Sequence, residues 1–261
     1  MTNYQVIVSF DGNIGSGKST IVKYLKNNYY NYCKKNSKDL NICFLHDDLK
    51  ICFLQEPVTF WESIKDDAGK NIIEHFYEDN ERYSFTFQIM AYISRLKLIK
   101  DALNENYHII FTERSIYSDR NVFATMLYKS NKMNSIEYTI YNQWFDEFSS
   151  IIKNIKTIYI RTIPEICKLR IDIRSRKGEN IELDYLKTCH YYHELWLNTD
   201  KHHANANANA NANANANANA NANANANILI IDGNVETNTS QFIENKYFDE
   251  VIEKVYKFLN S

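Results

Sequence analysis

One short segment near the start of the chain constrains the fold more than any other feature. Residues 12–19 read GNIGSGKS and match the pattern GxxxxGK[ST]. An apolar run over residues 5–11 comes directly before this segment, and a helical pattern begins at Lys18. Three of the six glycines of the chain fall within the segment, so the match does not follow from a glycine-rich composition. The sequence therefore predicts a strand, a tight loop and a helix in succession.

The chemistry of this loop is that of a phosphate-binding site. Glycines allow successive backbone N–H groups to turn toward phosphate oxygens, and the start of the next helix adds a partial positive charge. Lys18 is suited to neutralise the outer phosphates, and Ser19 is suited to ligate Mg²⁺. The loop thus predicts binding of ATP or GTP. The residues predicted to bind the nucleotide here are Gly12, Asn13, Ile14, Gly15, Ser16, Gly17, Lys18, Ser19 and Thr20.

Short apolar runs alternate with longer helical patterns along the chain. The predicted strands are residues 5–11, 50–55, 107–113, 157–161 and 228–232. The predicted helices are residues 18–29, 83–103, 119–128, 135–152 and 164–176. This alternation predicts an α/β fold with a parallel five-stranded sheet flanked by helices.

The start of the last of these helices carries a local signal. Thr162 and Glu165 have the spacing of a capping box, in which each side chain binds a free backbone N–H of the first turn. Pro164 would lie in that first turn, where a missing N–H costs nothing. The sequence predicts a helix that begins at Pro164 with Thr162 as its cap.

Composition sets the outer limits of the interpretation. The length favours a single domain over residues 1–261, and a net charge of -2 indicates neither a nucleic acid nor an anionic membrane as a stable partner. Five scattered cysteines predict reduced thiols. The first strand-like run begins too soon after Met1 for a signal peptide, and no apolar run reaches the length of a membrane span. We expect a cytoplasmic protein.

Two segments depart from the general pattern. Residues 204–227 alternate strictly between Ala and Asn, and nothing in them is large enough to build a core. They predict a disordered insertion before the last strand. The run Ile-Cys-Phe-Leu occurs at 42–45 and again at 51–54. The first copy is either an extra strand beside the second predicted strand or a duplicated fragment of that strand.

Other side chains suited to phosphoryl transfer occur at the end of the third predicted strand and in the last predicted helix. Glu113 and Arg114 end the third predicted strand, where side chains point into the ligand crevice of a parallel sheet. Arg170, Arg174 and Arg176 are spaced so that the first two share one helix face. Planar guanidinium groups grip phosphoryl oxygens well, so these arginines predict a lid over the phosphates.

Taken together, these motifs resemble those of the deoxycytidine and deoxyguanosine kinase family. The resemblance rests on residues 10–20 (FDGNIGSGKST), 56–58 (EPV), 85–88 (FTFQ), 113–120 (ERSIYSDR) and 170–176 (RIDIRSR), in an order and spacing that agree along nearly the whole chain. It implies a P-loop kinase fold with an arginine lid, ATP as donor, Mg²⁺, and a homodimer that acts in deoxynucleoside salvage. Trp144, on a long helix, is a candidate for the dimer surface.

The resemblance also implies roles in catalysis. Glu56 corresponds to the general base that accepts the proton of the 5′-hydroxyl. Arg114 would bind the same hydroxyl region and the transferring phosphoryl group, and Glu113 would join Ser19 in holding Mg²⁺. The residues expected to act in catalysis are Glu56, Arg114, Lys18, Arg174 and Arg176, with Arg170 and Arg174 also expected at the nucleotide.

Selection of the acceptor is implied in the same way. Gln88 and Arg95 lie seven residues apart, on one helix face, and would meet the nucleobase together with Asp119. An acceptor beside a donor suits a base with an exocyclic amino group, so purines and cytosine are favoured over thymine. Each of these three side chains also has an ordinary structural role open to it, such as a helix cap for Asp119. The substrate-binding residues predicted here are Glu56, Tyr77, Phe87, Gln88, Ala91, Arg95, Arg114, Asp119, Phe123 and Asp184.

Three other functions compete with a deoxynucleoside kinase. A nucleoside monophosphate kinase of the thymidylate kinase type would share the sheet and the lid, but it usually has an aspartate-arginine pair where Glu56 and Pro57 stand. A catalytically silent structural subunit would be free to lose Lys18, Glu56 or Arg114, and all three are present. A DNA-handling ATPase is disfavoured by the nearly neutral net charge.

Overall fold

The strands of the computed structural model lie in one parallel sheet. The structure describes residues 5–36, 49–176, 179–198, 227–235 and 241–261. Within these ranges the strand order is β2-β3-β1-β4-β5, and every neighbouring pair is parallel. The predicted parallel five-stranded sheet is confirmed. The strands are β1 (Val6–Asp11), β2 (Ile51–Leu54), β3 (Ile109–Glu113), β4 (Ile155–Arg161) and β5 (Ile228–Asp232).

Helices connect the strands and cover both faces of the sheet. They are α1 (Lys18–Asn36), α2 (Val58–Ser63), α3 (Ile72–Glu78), α4 (Asn80–Leu103), α5 (Ile116–Ser118), α6 (Thr125–Lys129), α7 (Ser135–Ser149), α8 (Pro164–Arg174), α9 (Leu183–Leu197) and α10 (Gln241–Asn260). A π-helical turn, Asp119–Ala124, joins α5 to α6. Helices α2 and α3 have six and seven residues, which is too short for an apolar period to predict them.

The central strand β1 is buried on both faces. Val8 packs with Leu25 of α1 and Val255 of α10 in one apolar cluster. Ile7, which points to the opposite face, packs with Tyr92 of α4 in a second cluster. Full burial of one such aliphatic side chain stabilises the fold by about 1.5–3 kcal/mol. This two-sided burial explains why β1 carries apolar side chains on both faces, and its two polar residues, Ser9 and Asp11, are buried as well.

The start of α8 differs from the prediction in one respect. The helix begins at Pro164 as expected, but its N-cap residue is Ile163, and no side chain caps it. The Thr162 hydroxyl instead donates a hydrogen bond of 3.0 Å to the carbonyl of Ser16. The predicted capping box is wrong because Thr162 ties the end of β4 to the glycine-rich loop.

Two predictions fall where the structure describes little or nothing. The Ala/Asn insertion at 204–227 lies outside the described residues except for Asn227, and the run at 42–45 lies outside them entirely. Among the described helices, none combines the length and hydropathy that a bilayer-spanning segment requires.

Candidate active site

A cavity of about 710 Å³ opens at the carboxyl ends of the strands, between the glycine-rich loop, α3, α4 and α8. Parallel sheets bind ligands at this edge because the loops that follow the strands meet there. Most of the predicted site residues line the cavity. These are Ile14, Gly15, Ser16, Gly17, Lys18, Ser19, Thr20, Glu56, Tyr77, Phe87, Gln88, Ala91, Arg95, Glu113, Arg114, Asp119, Phe123, Arg170, Arg174 and Arg176.

Lys18 is held inside the glycine-rich loop. Its ammonium group donates to the carbonyls of Gly12, at 3.0 Å, and Asn13, at 2.7 Å. Burial, followed by the positive charge of Arg114, lowers the pKa of Lys18 to about 8. Gly12 and Asn13 are therefore behind the cavity surface, where they orient the lysine that faces it.

The side chain of Asn13 faces away from the cavity. Its Nδ2 donates to the carbonyl of Leu186 at 2.9 Å, and its Oδ1 accepts from the backbone N–H of Ile14. Leu186 belongs to α9, so Asn13 links the glycine-rich loop to that helix. Asn13 thus contributes a backbone carbonyl to the site and uses its side chain as a tether.

Gly15 is required by both its backbone and its surroundings. Its φ is +76°, and a Cβ there would lie 2.5 Å from the carbonyl oxygen of Cys167. Gly69 has a similar φ of +82° but open space around it. We expect Gly15→Ala to lower the free energy of unfolding by about 1–3 kcal/mol more than Gly69→Ala, because only the first adds overpacking to the φ strain. Chemical denaturation of the two variants measures the difference, and equal losses would contradict the steric argument.

Ser19 and Glu113 form a pair of oxygen ligands. The Ser19 hydroxyl donates to Oε1 of Glu113 across the mouth of the loop. Hydroxyl and carboxylate oxygens suit Mg²⁺, which commonly completes its coordination with substrate phosphates and water. Among the described residues no group of three or more His, Cys, Asp or Glu side chains is placed to hold a metal ion alone. The pair fits a magnesium ion that arrives with a nucleotide.

Glu56 comes to the site through the register of the sheet. Leu54 pairs with Thr112, so Glu56, two residues further on, arrives beside Arg114. Its Oε1 accepts from Nε of Arg114 and from Nη2 of Arg95, each at 2.9 Å. Burial raises the pKa of Glu56, but Arg114, Arg95 and Lys18 together outweigh burial and lower it to about 2. Glu56 is therefore a carboxylate held in its ionised form.

The pKa of Asp119 is higher than that of Glu56. It begins the π-helical turn and accepts a hydrogen bond from Nη1 of Arg95. Burial raises the pKa of Asp119 to about 6, even though Arg95 and Arg114 oppose the shift. One guanidinium group thus bridges a strong acid and a weak one.

Two side chains of helix α4 that line the cavity, Gln88 and Arg95, each contain a buried polar atom without a partner among the described residues. Oε1 of Gln88 and Nε of Arg95 are buried and make no hydrogen bond with the described part of the chain. Buried polar atoms are almost always paired in a folded protein, so an unpaired acceptor and donor on one helix face indicate a ligand. Ala91 lies between them in sequence and lines the same cavity, where its small side chain leaves room.

Two of the predicted substrate-binding residues, Tyr77 and Asp184, are not brought together. Tyr77 lines the cavity, and burial raises the pKa of its phenol above the usual range. The Asp184 side chain is 93% exposed and lies outside the cavity, because it points outward from the first turn of α9. The prediction for Asp184 is therefore not supported by its position. Glu179, with a side chain 6% exposed, lines the cavity instead and accepts from Arg174 at 2.5 Å.

The three lid arginines are not equivalent. The guanidinium of Arg170 donates to the backbone carbonyls of Ser16 at 3.0 Å, Gly233 at 2.9 Å and Val235 at 2.6 Å. Ser16 belongs to the glycine-rich loop, and the other two residues follow β5. Arg174 faces Glu179, and Arg176 lines the cavity. Arg170 therefore braces the glycine-rich loop against the segment after β5, whereas Arg174 contacts Glu179.

Aromatic rings form a wall of the cavity. Phe87 stacks on Phe76 at 4.6 Å and meets the edge of Trp61 at 5.7 Å. Phe123 lies under the guanidinium of Arg114 at 4.7 Å. Trp61 and Phe76 were not predicted, although an aromatic residue so soon after Glu56 was a usable signal. Glu179 was also missed, although it follows Arg176 closely and is an acidic residue in a basic stretch.

Comparison with known proteins agrees with this geometry. The family model for deoxynucleoside kinase matches residues 8–260. A probable deoxycytidine kinase of fowlpox virus (strain NVSL) is 36% identical over 75% of this chain and 73% of its own length. Deoxycytidine kinase of Bos taurus is 37% identical over 73% of this chain and 74% of its own length. Deoxycytidine kinase 1 of Xenopus laevis is 32% identical over 97% of this chain and 90% of its own length. The chain therefore belongs to the deoxynucleoside kinase family.

Proposed function

We propose that this single-domain kinase transfers the γ-phosphate of ATP, bound with Mg²⁺, to the 5′-hydroxyl of a deoxynucleoside with a cytosine or purine base. One observation carries the proposal. The glycine-rich loop, the ionised Glu56 and the α4 side chains of Gln88 and Arg95 line the same cavity. A nucleotide and a nucleoside bound there would place a phosphate beside a hydroxyl group, which is the requirement for phosphoryl transfer.

Glu56 is the proposed base that accepts the proton of the 5′-hydroxyl. Both arginines donate to Oε1, and no hydrogen bond from the described residues reaches Oε2. That oxygen is the natural acceptor for the 5′-hydroxyl proton as the hydroxyl attacks phosphorus. Because its pKa is about 2, Glu56 is in the base form throughout the physiological pH range.

Arg114 and Lys18 account for the negative charge of the transferring group. Arg114 faces Glu56 and Lys18 lies in the adjacent loop, so both cations border the space where the phosphoryl group would pass. Preorganised donors of this kind stabilise charge that spreads over phosphoryl oxygens. Ser19 and Glu113 would hold the magnesium ion, which neutralises phosphate charge when it is bound.

The polar groups at the base end favour an exocyclic amino group. Oε1 of Gln88 has no donor among the described residues, and Asp119, which lines the same cavity, offers a further acceptor. Cytosine and adenine present an amino donor beside a ring acceptor, whereas thymine presents a carbonyl there. Tyr77 and Glu179 would then lie at the sugar, where a carboxylate suits a hydroxyl donor.

The first test is a panel of acceptors with ATP and Mg²⁺. Deoxycytidine, deoxyadenosine, deoxyguanosine and thymidine are compared with their monophosphates and with the ribonucleosides. We expect monophosphate formation from the cytosine and purine deoxynucleosides, with thymidine and the ribonucleosides slower. Activity on monophosphates alone would instead establish a nucleoside monophosphate kinase. Binding of ATP without transfer to any acceptor would establish a structural subunit.

The acceptor reaction should depend on pH through Asp119. Its pKa of about 6 means that the carboxylate is protonated as the pH falls below that value. We expect kcat/KM for the deoxynucleoside to fall below about pH 6, because the profile reports groups of the free enzyme and Arg95 loses its ionised partner. Asp119→Asn should lack this acidic limb, and a variant that keeps the same limb would contradict the assignment.

A homodimer is the proposed assembly. Ile136, Ile140, Trp144 and Phe148 recur every four residues on α7, and their side chains are exposed. Ile93 of α4 is exposed as well, and α4 contacts α7. Large exposed apolar stripes of this kind are typical of protein interfaces. Sedimentation equilibrium measures the assembly, and a monomer at micromolar concentration would contradict it. A cytoplasmic location stays a prediction from the sequence.

A further inference from the structure

The backbone of Arg114 is held in an unusual conformation. Its φ is +68°, in the left-handed region that residues with a side chain rarely adopt. Such a conformation persists only where the surrounding structure enforces it. The groups that enforce it therefore decide where the Arg114 guanidinium points.

Both peptide groups next to Arg114 are anchored. On the N-terminal side, the N–H of Arg114 donates to the carbonyl of Phe10 at 3.0 Å. On the C-terminal side, the N–H of Ser115 donates to Oδ1 of Asp11 at 2.9 Å, and the Thr112 hydroxyl donates to the carbonyl of Arg114 at 3.2 Å. Since rotation about φ moves one peptide relative to the other, anchoring both fixes the dihedral angle.

Asp11 supplies the only side-chain carboxylate among these anchors. It is the last residue of β1, and the pairing of Phe10 with Glu113 puts it beside Arg114. Its side chain is fully buried and does not line the cavity. Oδ2 of Asp11 makes no hydrogen bond with the described residues, so Oδ1 carries its visible contact. Burial of a carboxylate costs free energy, and the hydrogen bond of this carboxylate is made to a single backbone N–H.

The same turn also fixes the arginine side chain. The Ser115 hydroxyl accepts from the N–H of Ser118 at 3.1 Å and so begins α5. Nη1 of Arg114 then donates to the Ser118 hydroxyl at 3.3 Å and to the carbonyl of Gly12 at 3.1 Å. Displacement of Ser115 would therefore disturb the backbone of Arg114 and one of the groups that receive its guanidinium.

We propose that Asp11 is a positioning residue for Arg114: by binding the N–H of Ser115 it holds the left-handed turn that aims the guanidinium at Glu56 and the transferring phosphoryl group. The inference rests on the proposed function for its effect on rate. Asp11 touches neither substrate. Its contribution is made through the backbone of Ser115.

The test compares Asp11→Ala with Asp11→Asn. Asparagine keeps a side-chain oxygen at the same reach, whereas alanine removes the acceptor. We expect Asp11→Ala to lower kcat at least about tenfold with KM for ATP within about twofold, because Arg114 acts in the transition state. Asp11→Asn should restore kcat to within about threefold of the wild-type value. Equal losses in both folded variants would overturn the inference, as would a wild-type rate in Asp11→Ala.

A second variant and a structural readout keep the inference testable if Asp11→Ala does not fold. Thr112→Val removes the other side-chain anchor with little change of shape, and we expect the same loss of kcat at constant KM for ATP. Crystal structures of the variants report φ of Arg114 without reference to activity. An Arg114 unchanged in both position and φ in Asp11→Ala would overturn this inference alone. A wild-type enzyme inactive on every deoxynucleoside would overturn the proposed function instead.

Discussion

Replacing Glu56 with glutamine is expected to lower kcat by a factor of about 10² to 10⁴, the usual contribution of a general base. The amide oxygen can still accept from Arg95 and Arg114, so the buried cations keep a partner and the fold is retained. The amide cannot take up the proton of the 5′-hydroxyl. Steady-state turnover with ATP and the preferred deoxynucleoside measures the loss, and thermal unfolding verifies the fold.

A matched substitution separates this effect from a change of net charge. Glu250→Gln makes the same replacement at an exposed position on α10, away from the cavity. It should leave kcat unchanged. A Glu56→Gln enzyme with the rate of Glu250→Gln would show that another group, or water, accepts the proton.

Lys18→Met is expected to lower kcat by about 10² to 10³, in line with the loss of one preorganised donor to a developing negative charge. Methionine fills a similar volume but carries no charge. It also leaves the carbonyls of Gly12 and Asn13 without the ammonium group that they bind. Turnover at saturating ATP measures the loss, and thermal unfolding measures any cost to the loop.

Lys23→Met serves as the control for this variant. Lys23 is exposed on the same helix, α1, and does not line the cavity. It should keep the wild-type kcat. If Lys18→Met turned over as fast as Lys23→Met, the lysine would be a structural brace for the loop and not a phosphate ligand.

The sheet was predictable because its signal is local. Each strand is a short run of mostly apolar residues, and β1 carries apolar side chains on both faces because both faces are buried. The order of strands and helices then specifies a parallel sheet, and a parallel sheet places its ligand at the carboxyl ends of the strands. Glu56, Glu113 and Arg114 could therefore be assigned to one site from their positions after strands.

Other features depend on groups that a sequence does not display. Thr162 has the spacing of a cap, but its hydroxyl binds the carbonyl of Ser16, which is distant in sequence. Arg170 has the spacing of a lid residue, and it also binds carbonyls far along the chain. Spacing predicts the face of a helix. It does not predict which backbone group will meet that face.

Glu179 lines the cavity and Asp184 does not, for a different reason. Both are acidic residues that follow the three arginines closely in sequence, so composition and order do not separate them. Asp184 lies in the first turn of a helix whose other face packs on the protein, and its side chain points to solvent. Glu179 lies in the preceding connection, where the path of the backbone directs it toward Arg174. The direction of each side chain, and not its place in the sequence, determines which of the two acidic residues lines the cavity.

The position of Arg95 between Asp119 and Glu56 limits how this enzyme could be redesigned or could evolve. A single guanidinium group binds the carboxylate of Asp119, proposed to lie at the nucleobase, and that of Glu56, proposed to accept the proton. A substitution of Arg95 by an uncharged residue that admits a new base also removes a positive charge from beside Glu56 and raises the pKa of Glu56. A substitution of Arg95 is therefore expected to change base preference and catalytic rate together. A change of substrate at this position requires a second substitution that restores the charge beside Glu56.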